Sequence, residues 1–159
     1  MGVGERRALG DIEIQSGNVT LAMSHVVPDL VQKVMKGQDP LHILGDGQQV
    51  RHYTYGGDLA RGIVTAMEHP AAVNEDFNLS VSTSTTVLEL AALIWRKIKG
   101  DAVPFAFVSD PPFEHDVARR VPATDKAKSI LGFEATTTLE EMLDEVIPWI
   151  GRAIAEGHI

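Results

Sequence analysis

The stretch GDGQQVRHYTYGGDLARG, residues 45–62, determines how the middle of this chain is expected to fold. Its first part, Gly45-Asp46-Gly47, is a turn signal, because glycine adopts the positive φ angles that tight turns need. β-favouring residues lie on both sides of this turn. The pattern therefore predicts a hairpin with strands at residues 41–44 and 50–55.

Arg51 lies in the second of these predicted strands. The two-residue period places Arg51, Tyr53 and Tyr55 on one side and His52 and Thr54 on the other. From this pattern alone, Arg51 is either an exposed strand residue or part of a binding site.

Helices are predicted on both sides of the hairpin. Residues 27–36 form an amphipathic helix that Gly37 ends. A second helix, which Asp58 is expected to help cap, extends to about residue 68. Its apolar stripe consists of Leu59, Ile63, Val64 and Met67.

Two capping boxes mark later helices. Thr86 and Thr138 each precede a glutamate by three residues, which predicts one helix to residue 99 and another at the end of the chain. Pro148 is expected to kink or break the last helix near Ile147. Thr124 is expected to cap a short helix that ends before Gly132.

The remaining segments complete the predicted organisation. DFNLS (76–80) and AVPFAFV (102–108) are predicted strands, and residues 109–124 form a long loop of the kind that carries function. Residues 1–24 are predicted to be an irregular N-terminal arm, and residues 25–159 a single lobe. Alternating helices and strands indicate an α/β fold, or α+β for an isolated piece.

Composition excludes several classes of function. The 159 residues contain no cysteine, which excludes disulfides, thiolate catalysis and cysteine metal sites. The net charge of −8 disfavours nucleic acid as a partner, so a basic spot would suit a small phosphorylated ligand. Without an apolar signal region or an apolar run of membrane-spanning length, we expect no membrane contact and a cytoplasmic location.

Four segments carry a family resemblance. They follow one another in the order MGVGE, SHVVPDLVQKVMKGQDPLHILGDGQQVRHYTYGGDLARGIVTAMEHP, EDFNLSVSTSTTVLELAALI and ARRVPATDKAKSILGFEATTTLEEML. Together they resemble the C-terminal half of the extended short-chain dehydrogenases/reductases, the NAD-dependent epimerase/dehydratase family of nucleotide sugars. The resemblance covers nearly the whole chain. It implies a substrate-binding lobe without the N-terminal Rossmann core.

The resemblance also implies roles for individual residues. Arg51 matches an arginine that contacts the diphosphate of the nucleotide sugar, for which a guanidinium fork is suited. Arg120 matches a second arginine that closes on the phosphates, with Arg119 as its rival. Tyr53 and Tyr55 match family aromatic positions in the substrate-binding lobe, where packing is the favoured role.

His25 precedes the first helix, in a region that approaches the nucleotide or the sugar in relatives. It is either a ligand contact or a helix-entry residue that touches no ligand. Two departures from the family pattern leave the nucleotide open. The family's ribose-binding aspartate is Ala123 here, and Asp125 lies at a serine position. His52 replaces the aspartate after the family arginine.

The family's catalytic features do not occur in these residues. No tyrosine is followed four positions later by lysine, and the glycines of MGVGERRALG follow no predicted strand, as an NAD fingerprint requires. We therefore expect no catalytic residue and no cofactor in this chain, with NAD or NADP bound elsewhere in a longer enzyme. Alone, the chain is expected to be inactive.

The expected partners are a nucleotide-diphosphate sugar and the N-terminal NAD-binding half of the family. Apolar surface that would face this half predicts a homo-oligomer when the half is absent. The alternative is a stand-alone binding or scaffold module that reuses the same half-fold.

Two further constellations are weaker. Acidic and imidazole groups crowd the long loop, but they lack defined metal-ligand spacing. They are Asp110, Glu114, His115 and Asp116. Ser24 and His25 are adjacent, so on an extended chain they point apart, and no third partner for nucleophilic catalysis is evident.

Overall fold

The computed structural model describes residues 13–16, 19–22, 25–112 and 116–157. The described helices are α1 (Val26–Met35), α2 (Gly56–Glu68), α3 (Val87–Lys99), α4 (Asp125–Leu131) and α5 (Leu139–Ala155). The described strands are β1 (Glu13–Ser16), β2 (Val19–Ala22), β3 (Leu41–Leu44), β4 (Val50–Arg51), β5 (Thr85–Thr86) and β6 (Phe107–Asp110). The α/β fold class predicted from the sequence is confirmed.

The main core lies where α1, α3 and α5 pack together, with β3 beside α1. Each of these helices presents one apolar face, as its sequence period predicts. The most deeply buried large side chains come from all four elements. They include Val27, Val31, Leu41, Ile43, Leu90, Ile94, Trp95, Leu143 and Ile150. The predicted face of α1 is therefore confirmed as a core face.

A second, smaller core surrounds α4. Ala127 and Leu131 of that helix pack with Phe133, and Phe77 and Leu79 cover them from the other side. Gly62 of α2 makes this contact possible, because a Cβ there would lie 2.8 Å from the ring of Phe133. The small core therefore joins α2 and α4.

The predicted hairpin is wrong. β3 pairs in parallel with β6, with Leu41 opposite Phe107, and β4 is antiparallel to β5. After the turn, the carbonyl groups of Gly47 and Gln49 accept hydrogen bonds from the first amides of α3. These bonds direct the chain toward α3 instead of back along β3.

The two other predicted strands also change. Residues 76–80 form no strand, since the Asn78 side chain donates to the Ala123 carbonyl and Ser80 contacts Thr54. The strand predicted at 102–108 is displaced toward the C-terminus and becomes β6. Both errors arise because ladder partners distant in sequence decide where a strand lies.

The N-terminal arm is not irregular throughout, because β1 and β2 pair as antiparallel strands. In the sequence, the dipeptide Gly17-Asn18 separates the two strands. Such a dipeptide is typical of two-residue hairpin turns, but the sequence analysis did not use this signal. The division of the chain into residues 1–24 and 25–159 stays a prediction.

The capping boxes at Thr86 and Thr138 are confirmed, each with both reciprocal hydrogen bonds. The caps predicted at Asp58 and Thr124 are wrong, since neither side chain caps its helix. α5 continues through Pro148 to Ala155, so the predicted break is also wrong. Val146 and Ile150 are buried on both sides of the proline and hold the helix against the core.

The apolar stripe of α2 faces outward. Leu59, Ile63 and Val64 are exposed, and Met67 is 81% exposed. Within the described part of the chain, no helix combines the length and apolar character that a bilayer span requires.

Candidate ligand-binding site at Arg51

A cavity of about 140 Å³ opens where α1, β3, β4 and the start of α3 meet. Its walls are mostly apolar and include Val26, Leu30, Ile43 and Val87. Polar side chains also line it. They are Asp29, Lys33, Gln49, Arg51 and Asp116. An apolar cleft with a few polar groups is the usual form of a small-molecule site.

Arg51 is the most accessible cation of this cavity, with its side chain 21% exposed. Its Nη1 donates to the carbonyl of Val50 at 2.8 Å, which fixes the base of the guanidinium. Its Nη2 donates to Oδ1 of Asp116 at 3.1 Å. The predicted phosphate-binding arginine therefore meets an internal carboxylate.

Gln49 holds the same carboxylate from a second direction. Its Nε2 donates to Oδ2 of Asp116 at 2.8 Å and to the carbonyl of Leu44 at 3.2 Å. Its Oε1 is buried and has no hydrogen-bond partner among the described residues. Both Asp116 oxygens are thus bound by side chains that flank Val50.

Lys33 contributes a second positive group from α1. Its side chain is 2% exposed, and Nζ donates to the carbonyl of His42 at 2.9 Å. Burial lowers the pKa of Lys33, and the carboxylates of Asp29 and Asp110 oppose that shift. Asp110 itself is 2.8 Å from Nδ1 of His42.

The end of the long loop runs beside β4. The amide of Val50 donates to the carbonyl of Ala118 at 2.9 Å, and the amide of Arg120 donates to the carbonyl of Val50 at 3.0 Å. The backbone of Arg119 and Arg120 therefore runs beside β4, which contains Arg51. Both are exposed, and neither side chain has a hydrogen bond or ion pair within the described residues.

The other predicted site residues lie away from this cavity. Tyr53 belongs to the main core and lines a separate cavity, and burial raises its pKa to about 12. The Tyr55 hydroxyl donates to Glu145 of α5, and this hydrogen bond raises the pKa of Tyr55. His25 is exposed and directly precedes α1. Of the predicted site residues, only Arg51 lines the cavity, whereas Arg120 adjoins β4 through its backbone.

The weaker constellations separate as well. Asp110 contacts His42, whereas Asp116 contacts Arg51 and Gln49, so the two carboxylates have different partners. Ser24, Glu114 and His115 lie outside the described residues. His52 contacts two other groups. Its Nδ1 lies 2.6 Å from the Val81 carbonyl, and its Nε2 lies 2.9 Å from the Ser84 hydroxyl.

Sequence reasoning missed Gln49, Lys33 and the role of Asp116. The spacing of four residues between Asp29 and Lys33 could have indicated a shared helix face. Nothing local indicated that Asp116 reaches Arg51, because 65 positions separate them.

Comparisons with known proteins agree with this architecture. A family model described as the NAD dependent epimerase/dehydratase family matches residues 15–80. UDP-glucuronic acid decarboxylase 1 of Danio rerio is 31% identical over 129 residues, which cover 81% of this chain and 29% of that protein.

Two solved structures show the same fold. UDP-glucose 4-epimerase from Thermotoga maritima, solved with UDP-glucose, is 32% identical with a TM-score of 0.69, covering 82% of this chain and 40% of that one. UDP-glucuronic acid 4-epimerase from Bacillus cereus, solved with UDP-glucuronic acid and NAD, has a TM-score of 0.72. It is 22% identical and covers 83% of this chain and 41% of that one, which supports the fold alone.

The fold is therefore similar to part of the solved nucleotide-sugar epimerases. More particularly, the chain is related to the NAD-dependent epimerase/dehydratase family. It spans 29% of the decarboxylase and 40% of the Thermotoga epimerase, so it corresponds to part of such a protein.

Proposed function

We propose that this chain is the nucleotide-sugar-binding portion of an NAD-dependent epimerase or dehydratase. The observation that carries the proposal is the position of Arg51, whose partly exposed guanidinium lies at an otherwise mostly apolar cavity. A diphosphate suits a guanidinium, because its oxygens accept two parallel hydrogen bonds.

The surrounding charges support an anionic ligand. The chain carries a net charge of −8, so a phosphate needs a local concentration of cations to approach it. Arg119 and Arg120 are candidates for these cations, and the hydrogen bond from the Arg120 amide to the Val50 carbonyl, which joins their segment to β4, supports the proposal. In this proposal Arg51 contacts the diphosphate and Arg120 supplies the second positive charge.

The chemistry itself is assigned to a part of the enzyme outside these residues. The 159 residues contain no Tyr-x-x-x-Lys pair for proton transfer. The NAD-dependent family relationship supports hydride transfer at a cofactor held by that other part. The cavity of about 140 Å³ is smaller than the roughly 300–1,000 Å³ of a complete small-molecule site. An incomplete site, to which another part of the enzyme would contribute, fits this size.

The outward apolar stripe of α2 supports the expected partner. Its exposed residues, from Leu59 to Met67, form a continuous face on one helix. We propose that the NAD-binding half of the parent enzyme covers this face, and that two copies of the chain associate through it when that half is absent.

The first test is calorimetric titration of the 159-residue chain with UDP-glucose. We expect weak, saturable binding that Arg51→Ala weakens by about tenfold or more, since hydrogen bonds to charged groups contribute about 1.5–3 kcal/mol. Arg96→Ala is the matched control, because Arg96 forms an exposed ion pair with Glu140 outside the cavity lining.

Three outcomes would change the proposal. Equal binding by wild type and Arg51→Ala would remove Arg51 from the site. Turnover of a nucleotide sugar by this chain with added NAD would refute its inactivity alone. Tight binding by the isolated chain would favour the stand-alone module.

A further inference from the structure

We propose that Ser84 and His52 form a nucleophile–base pair that hydrolyses small carboxylic esters. Neither residue lines the cavity at Arg51, so this activity is separate from the proposed function and does not depend on it. His52 replaces the aspartate that the family pattern places after the arginine. The contacts of its ring give this replacement a chemical consequence.

The pairing of β4 with β5 brings the two side chains together. Arg51 lies opposite Thr85 in this antiparallel ladder. The next position along each segment therefore places His52 opposite Ser84. Side chains directly opposite each other in an antiparallel pair are neighbours on one face. By the alternation of a strand, this face is the one opposite to Arg51.

The contacts of the imidazole fix which of its nitrogens carries the proton. Nδ1 of His52 lies 2.6 Å from the carbonyl oxygen of Val81, and a carbonyl can only accept a hydrogen bond. In the neutral ring, Nδ1 therefore holds the proton and Nε2 has the free electron pair. The Ser84 hydroxyl, 2.9 Å from Nε2, then donates its hydrogen to that nitrogen. An ionised aspartate at position 52 could not make both contacts, because it has no hydrogen to donate to Val81.

This arrangement is one that activates a serine. A hydroxyl within hydrogen-bond reach of a base that a third group orients is the geometric signature of a nucleophile. Here the Val81 carbonyl orients His52, and His52 accepts from Ser84. Ser84 is exposed, so an ester can reach its oxygen from solvent. The amides of Ser82 and Thr83 donate no hydrogen bond within the described residues, which leaves them free to stabilise an oxyanion.

The reaction is an acyl transfer to water in two steps. Ser84 Oγ attacks the carbonyl carbon of the ester, and its proton passes to Nε2 of His52. The bond to the leaving alcohol then breaks, and the alcohol oxygen takes that proton. Water next attacks the acyl-serine, a water proton passes through Nε2 to Ser84 Oγ, and the carboxylic acid leaves. The net reaction converts ester and water to acid and alcohol.

The first test is the rate at which a fluorophosphonate labels each serine, followed by fragment-ion mass spectrometry. Ser129 is the internal control, because it is also exposed but its hydroxyl donates to the Lys126 carbonyl at 3.3 Å. We expect Ser84 to react about a hundredfold faster than Ser129, since a positioned general base contributes roughly 10²–10⁴-fold. His52→Gln keeps a donor and an acceptor but removes the base, so it is expected to abolish this advantage.

The second measurement is the release of p-nitrophenolate from p-nitrophenyl acetate. We expect the wild-type chain to hydrolyse this ester over many turnovers, and Ser84→Ala and His52→Gln to keep less than about a tenth of that rate. Ser129→Ala is the matched control, and its rate is expected to equal that of the wild type. Thermal unfolding of each variant verifies that it is folded.

Labelling of Ser84 at the rate of Ser129, or equal labelling in folded His52→Gln, would overturn the proposal, because the imidazole would then activate nothing. Hydrolysis that persists in folded Ser84→Ala would overturn it too, since another group would then carry the activity. Labelling of Ser84 without turnover of the ester would equally reject the hydrolysis. Titration with UDP-glucose tests the proposed function separately, so either proposal can fail alone.

Discussion

Asp58 ties the first turn of α2 to the segment that precedes α5. Its Oδ2 accepts from the amides of Thr136 and Thr137 at 3.1 and 2.8 Å, and its Oδ1 accepts from Arg61 at 2.6 Å. The Asp58 side chain is buried, so its carboxylate oxygens depend on these donors for hydrogen bonds. One carboxylate thus connects two segments that are distant in sequence.

We expect Asp58→Asn to lower the free energy of unfolding by about 1–3 kcal/mol, because charged acceptors form the stronger hydrogen bonds and the amide replaces one acceptor with a donor. Urea unfolding measures this difference. Asp144→Asn is the control, since Asp144 pairs with Lys97 at the surface and its loss is expected to cost less than about 1 kcal/mol. Equal effects of the two variants would contradict the structural role of Asp58.

The contribution of Asp58 to stability is also expected to depend on pH. Burial alone would raise the pKa of Asp58, but the hydrogen bonds from Arg61 and Thr137 outweigh it and hold the pKa below its ordinary value. A lowered pKa in the folded state means that the stabilisation is complete above the unfolded-state pKa of about 3.9. It is lost as the pH falls further through the folded-state pKa. The stability gap between wild type and Asp58→Asn should therefore narrow below about pH 4.

At the scale of elements, α5 carries an interior proline without ending. Pro148 cannot donate the amide hydrogen bond that would reach the carbonyl of Asp144, and its ring crowds the preceding turn. The helix persists because Val146 and Ile150 bury their side chains against the core. Packing therefore outweighs a local penalty that would disrupt an isolated helix.

Replacing Pro148 with alanine is expected to stabilise the protein by about 1–3 kcal/mol, since the missing hydrogen bond is restored and alanine is the best helix former. Pro148 is exposed, so little packing is lost. Thermal unfolding followed by circular dichroism measures the change. A lower melting temperature would mean that α5 depends on a bend at this position.

At the scale of the whole molecule, we expect the outward face of α2 to govern self-association. Its exposed apolar residues favour association, whereas the net charge of −8 favours separation. Because the apolar contribution is independent of salt, we expect association to increase when salt screens the net charge.

The prediction is that the chain forms dimers or larger assemblies at high concentration, and that Val64→Lys with Met67→Lys yields monomers of unchanged melting temperature. Sedimentation velocity over a concentration series measures this. Val103→Lys is a control, because Val103 is an exposed apolar residue outside α2. A monomeric wild-type profile at high concentration would rule out association through this face.

Local sequence signals were sufficient to predict an element wherever its own residues stabilise it. The bounds of α1 and α3, the capping boxes at Thr86 and Thr138, and the α/β class were all predictable, because helix periods and caps act within a few residues. The resemblance to the epimerase/dehydratase family was likewise readable, since it depends on the order of short motifs. The role of Arg51 in binding a diphosphate was predicted in the same way, and it stays a prediction.

The tertiary structure alone decided which strands pair and what surrounds Arg51. β3 and β6 are more than sixty residues apart, and Asp116 reaches Arg51 across a similar separation. Strand pairing and ion pairing depend on which surfaces packing brings together, and no local pattern encodes that choice. The sequence thus indicated most of the helices and the family resemblance, whereas long-range packing determined the sheet partners and the carboxylate that pairs with Arg51.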